Sequence, residues 1–161
     1  MELDEIIKVY ETVDYLKREE GQDVMVTIGV LFNTGLRGHA LSQIKVKDVL
    51  LDKELIIYKP GVINNKHTFQ YFPIPPRLLE QIKHHIQHYD LQPDEQLLNG
   101  LSGKPLQNKQ INWITNRINK ILGWEKVIKL PLLSRIVDFF NKSNLNWLSR
   151  CIKIRREVIR L

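Results

Sequence analysis

The chain predicts an α+β domain, mainly helical, with a small antiparallel sheet set between two groups of helices. Three observations carry this. Apolar residues recur at helical spacing before residue 50 and again after residue 75. Between them lie two β-branched and aromatic runs, Leu55-Ile56-Ile57-Tyr58 and Thr68 to Ile74, separated by the turn signals Pro60-Gly61 and Asn64-Asn65. No internal repeat or low-complexity tract breaks the 161 residues, a length that suits one domain spanning 1–161.

Taken in order, Leu3, Ile6, Ile7, Tyr10 and Val13 have the spacing of an amphipathic helix over residues 2–19, which Gly21 ends. Its other face is acidic. Residues 22–33 form a more apolar, buried helix. Gly35 supplies a turn, and Leu36, Ala40, Leu41 and Ile44 give a third helix its buried stripe. One strand is expected over 50–58 and a returning strand over 68–74. Pro75-Pro76 ends the sheet, and proline suits the first turn of the next helix. That helix runs to about Tyr89, with Leu78, Leu79, Ile82, Ile86 and Tyr89 facing inward. Residues 90–106 are irregular, and a helix over about 107–122 buries Ile111, Ile114, Ile118 and Ile121 before Gly123 ends it. Two short helices are expected over 132–141 and 144–160.

Composition narrows the function classes. The run Val24 to Phe32 falls well short of the ~20 apolar residues of a membrane span. The first residues are acidic and amphipathic, unlike a secretory leader. A single cysteine, Cys151, excludes an internal disulfide and fits a reducing cytoplasm. The net charge of +6 is unevenly spread. Residues 101–161 hold 13 of the 24 basic residues and 3 of the 18 acidic ones, leaving 11 basic and 15 acidic for residues 1–100. The last third is a concentrated positive field, which favours a polyanion such as nucleic acid; the plainer reading is a solvated basic surface.

The most informative stretch is Asn33-Thr34-Gly35-Leu36-Arg37, an apolar run halted at a Thr-Gly turn with an arginine opening the next helix, closed by Asp48 ahead of a strand. It resembles the Thr-Gly-Leu-Arg box of the tyrosine recombinases, the phage integrase family. The resemblance extends through a lysine-bearing hairpin and the run Phe72-Pro73-Ile74-Pro75-Pro76-Arg77-Leu78-Leu79, and through Leu106 to Gly123, and covers roughly residues 20–160. It implies a recombinase catalytic-domain-like fold and a duplex DNA partner, with the family's separate N-terminal DNA-binding domain absent from this chain.

In that family two arginines stabilise charge on the phosphate, a lysine and histidines move protons, and a tyrosine forms a covalent intermediate. By register Arg37 matches the first arginine; the competing reading is a helix-start arginine bound to solvent or an acidic side chain. Lys66 falls within a residue of the family lysine, against the reading of an exposed turn lysine. Arg135 stands where the second arginine belongs. The pattern then decays. Leu132 occupies the first histidine position, Ile136 follows the arginine, and Ala40 replaces the acidic residue three places after Arg37. No histidine follows His88 and no tyrosine follows Tyr89. The resemblance is therefore to a degenerate catalytic domain with no catalytic residue assigned. Arg37, Lys66, Arg135, His39, Lys109, Arg117 and Lys120 are the expected DNA-phosphate contacts.

Other constellations are read more plainly. His84, His85 and His88 are expected to form a solvated helix face, because two histidines four apart lack the further ligands of a zinc site. No metal or cofactor is expected. Trp113, Trp124 and Trp147 read as core or interface anchors, Trp113 least clearly because basic and amide residues flank it. The apolar stripe Ile154, Val158 and Leu161 on the last helix is either an oligomer contact, as the resemblance implies, or intramolecular packing. The leading functional expectation is a DNA-binding regulator, such as a phage or mobile-element repressor, on an inactive recombinase fold. The alternative is a divergent or shortened recombinase acting in DNA integration. The third is a protein-interaction module without DNA binding.

Overall fold

The computed structural model describes residues 3–60 and 69–124. The hairpin turn holding Lys66, the segment holding Arg135, the helices expected over 132–141 and 144–160, Trp147 and the stripe Ile154, Val158 and Leu161 lie outside the described residues.

The chain begins with α1, Leu3–Glu20, followed by α2, Met25–Thr34. α1 buries Ile6, Val9, Val13 and Leu16, one residue per turn, and leaves Ile7 46% exposed. The buried stripe is thus rotated from the expected one, so that Val9 and Leu16 belong to it and Ile7 does not. Gly21 adopts φ +64° and ends the helix. α2 is apolar on nearly all sides, with every residue from Val26 to Phe32 buried, and it forms the centre of the domain.

The third helix is much shorter than its apolar spacing predicts. α3 covers only Gly38–Leu41 and is followed by a 3-10 turn at Val46–Asp48. Ala40, Leu41 and Ile44 are buried as expected. The backbone of residues 44–47 is instead recruited by the segment after the next helix. Leu97 N–H donates to the Ile44 carbonyl at 2.9 Å, and Val46 and Lys47 donate to the carbonyls of Glu95 and Pro93 at 3.0 and 2.9 Å. These long-range bonds displace the intrahelical ones that a longer α3 would make. Asp48 accepts the Lys45 N–H at 3.0 Å and closes the turn.

The sheet is antiparallel with order β1-β2-β3, where β1 is Val49–Leu50, β2 is Leu55–Tyr58 and β3 is Gln70–Pro73. The single strand expected over 50–58 is therefore two strands around a tight turn, in which Glu54 takes φ 55°. Ile56 pairs with Val49 on one side and Phe72 on the other. Asn33 of α2 donates its side-chain amide to the Pro73 carbonyl at 2.9 Å, tying the central helix to the sheet.

α4 covers Pro76–His88, with proline in its first turn, and α5 covers Gln110–Leu122, ended by Gly123 at φ 67°. The sides of α4 match expectation at Leu78, Leu79 and Ile82 but not at the histidines. His85 is buried, its Nε2–H donating to the Leu97 carbonyl at 2.9 Å, while His84 and His88 stack on the exposed side. On α5, Ile111, Ile114 and Ile118 are buried, whereas Ile121 is 37% exposed. Trp124 packs against the core. No described helix is long and apolar enough to cross a membrane.

Burial pushes the His85 imidazole below its ordinary value, outweighing the Leu97 carbonyl and the Asp23 carboxylate that favour its charged form. The folded state then binds fewer protons than the unfolded chain as pH drops below about 6.5. Stability from this residue is present at neutral pH and lost on acidification. His85→Gln keeps a donor for Leu97 but cannot titrate. Denaturation of the two proteins between pH 7.5 and pH 5 is expected to show a shallower loss in His85→Gln.

Candidate nucleic-acid interface

The corner between α2 and α3 sets the position of Arg37. Gly35 takes φ 65° and donates its N–H to the Leu31 carbonyl at 2.8 Å, a left-handed cap that a β-carbon would strain. The buried Thr34 hydroxyl donates to the Val30 carbonyl at 2.8 Å and accepts the Leu36 N–H at 3.2 Å. Leu36 packs against the core. The next residue, Arg37, has extended ψ of 160°, and its carbonyl accepts the Leu41 N–H at 2.9 Å, opening α3. Its side chain is exposed, and among the described residues no carboxylate forms an ion pair with it. The acidic-partner reading of Arg37 thus finds no support among those residues.

α3 presses directly on the start of α5. A methyl at Gly38 would lie 2.5 Å from the Asn108 carbonyl oxygen and 2.6 Å from Ile111 Cγ2, so only glycine admits the observed approach. This contact brings Arg37 beside the N-terminal end of α5, where Lys109 is the exposed N-cap residue. Arg37 and Lys109, 72 positions apart in the chain, thereby flank one packed junction. His39 is also exposed on α3, with the Gln43 amide donating to its Nε2 at 3.0 Å.

The other expected contacts on α5 separate. Lys120 is exposed. Arg117 turns to α1, where its guanidinium grips the Glu20 carboxylate, Nε to Oε2 at 3.4 Å and Nη2 to Oε1 closer still. That pair holds α5 to the end of α1 and occupies the side chain. Trp113 is 44% exposed rather than a core anchor. It shares its face with exposed Lys109, Asn112, Asn116 and Lys120, opposite the buried Ile111, Ile114, Thr115, Ile118 and Asn119.

One cluster has no signal in the sequence. Tyr89 donates to Asp23 Oδ2 at 3.0 Å and Lys17 Nζ lies 3.0 Å from the same oxygen, linking α1, the start of α2 and the end of α4. Burial works against the Asp23 charge, but the Lys17 and Tyr89 hydrogen bonds outweigh it and hold the carboxyl below the usual carboxylate range. A cleft of about 350 Å³ lies over these groups, rimmed by Glu80, His84 and His88. Among the described residues, no group of three or more His, Cys, Asp or Glu side chains is arranged to hold a metal.

The fold is similar to that in a crystal structure of XerA recombinase, with a TM-score of 0.69, 16% sequence identity, and 89% of this chain matched to 50% of that chain. The fold is recombinase catalytic-domain-like. The chain spans half the length of that recombinase. No protein-family model matches the sequence, and no curated protein matches it.

Gly38→Ala tests the junction. Helix propensity alone would make the substitution stabilising by up to ~1 kcal/mol. The contact with Asn108 and Ile111 is expected to reverse that sign and cost about 1–3 kcal/mol, as overpacking does. Urea unfolding monitored by circular dichroism reads the sign.

Proposed function

We propose that the chain binds duplex DNA through its phosphate backbone on this recombinase-like fold, and that it acts as a regulator, a repressor of a phage or mobile element, without cutting the DNA. The observation that carries the DNA reading is the tight contact of Gly38 with Asn108, whose chain neighbours at that junction are exposed Arg37, without an ion pair among the described residues, and exposed Lys109. Guanidinium and ammonium groups held on helix ends are the chemistry of phosphate contacts. The concentration of 13 of 24 basic residues after residue 100 supports the same partner. Lys66 and Arg135 are proposed to add to this surface from their register in the sequence.

The non-cutting part of the proposal rests on residue types. By register Leu132 stands at the first histidine position and Ile136 follows Arg135, and Tyr89 donates its hydroxyl to Asp23. Burial and the hydrogen bond to Asp23 both push the Tyr89 phenol above its usual value, which disfavours a phenolate nucleophile.

Anisotropy of labelled duplex DNA across a salt series tests the reading. Binding is expected to weaken steeply with salt, and Arg37→Ala is expected to weaken it on every sequence while lowering the slope of log K against log salt by about 1. Absence of binding at low salt would overturn it. So would a covalent protein–DNA adduct that disappears when one tyrosine of this chain is replaced by phenylalanine.

A further inference from the structure

Between α1, the last turns of α2 and the start of α4 lies a cavity of about 120 Å³, none of whose lining residues belongs to the proposed DNA surface. Its walls are the Tyr10 ring, Phe32, Leu78 and the bare backbone of Gly29. Gly29 lets α2 and α4 approach closely, since a β-carbon there would lie 2.7 Å from Leu78 Cδ1. Tyr10 and Phe32 meet edge to face with their ring centroids 6.0 Å apart, which makes an aromatic corner. An unfilled apolar space in a close-packed domain costs stability, so there is free energy to recover by filling it. A dry apolar cavity of ~150 Å³ takes up benzene. This one is of similar size, with room for a single ring.

The rim has a different chemistry. Arg77 lines the cavity, is exposed, and forms no ion pair among the described residues. It stands in the first turn of α4, which holds no acidic residue and no side-chain cap. The positive end of a helix disfavours a cation there, and it leaves the Arg77 and Leu78 N–H groups without intrahelical acceptors. A cation and free donors therefore meet at one edge of an apolar space. Burial pushes the Tyr10 phenol above its ordinary value, with the Arg77 charge opposing, so the phenol stays a neutral donor near the guanidinium.

We infer that this cavity binds a small monocarboxylate bearing one aromatic ring, the ring entering against Phe32 and Leu78 and the carboxylate held at the rim by Arg77. The paired N–H groups of a guanidinium match the two oxygens of a carboxylate. Ligand sites have this division of labour, mostly apolar walls with a few placed polar groups that set orientation. A neutral ring would fill the walls and leave Arg77 unanswered, and a carboxylate without a ring would do the reverse. The inference stands apart from the duplex-binding reading, because neither Arg77 nor any wall residue is among the proposed phosphate contacts.

The experiment is a titration of the isotope-labelled full chain, followed by amide NMR, with phenylacetate, with 2-phenylethanol as its uncharged match, and with acetate as its ringless one. Phenylacetate is expected to shift the backbone amides of Gly29, Phe32 and Leu78 saturably, and acetate to leave them in place. Hydrogen bonds to a charged group are expected to make phenylacetate bind roughly 10- to 150-fold tighter than 2-phenylethanol. Arg77→Gln is expected to abolish that difference by weakening phenylacetate alone, and Arg77→Lys, which keeps the charge and loses the paired donors, to retain part of it. Arg77 is exposed, and circular dichroism melts confirm that both variants fold. The inference is overturned by the lack of a saturable shift at those amides, by acetate shifting them equally, or by an Arg77→Gln chain that still prefers phenylacetate to 2-phenylethanol. Each result reads the cavity alone, whether or not the chain binds duplex DNA.

Discussion

The approach of Gly38 to Asn108 and Ile111 is the constraint on which the candidate surface depends. α2 is buried along almost its whole length and cannot itself present a charged side chain. The chain must leave the core, expose one residue and re-enter within a few positions. Gly35 makes the exit with a left-handed cap, Thr34 braces it with two hydrogen bonds, and Gly38 makes the re-entry by lying flat against α5. Arg37 is the residue left outside. Its exposure follows from two glycines and a threonine, not from any property of arginine.

The same contact explains why charges far apart in the chain act together. α5 is pinned at its start by α3 and along its length by α1, through the Arg117–Glu20 pair. A partly exposed ion pair adds little to stability, but it fixes which cation of α5 faces the acidic helix and which face outward. With Arg117 turned toward Glu20, the outward side holds Lys109 and Lys120 and no carboxylate of α5.

The short length of α3 shows where pattern reading stops. Leu36, Ala40, Leu41 and Ile44 have helical spacing, and all but Leu36, which is partly buried, are buried. Apolar spacing reports burial, and burial was the part that held. Whether the backbone between those residues is helical was decided by segment 93–97, which offers carbonyls and N–H groups to residues 44–47. The histidines of α4 make the same point from the other direction. Three polar rings on a helix read as a wet face, yet the Leu97 carbonyl waits inside for one of them, and His85 turns in to meet it.

From the sequence alone came the fold class, the order of helices and sheet, the buried faces of α2, α4 and α5 in outline, and Arg37 as the leading candidate for a phosphate contact. These are legible because periodicity, glycine and proline act within a few residues of where they are written. Only the tertiary structure decided that Arg37 stands beside Lys109, that Arg117 belongs to Glu20, that Trp113 is outside and that Tyr89 is held by Asp23. Each of these joins residues more than 60 positions apart or depends on which side of a helix meets a neighbour. Packing between elements sets such pairings, and no local pattern encodes them.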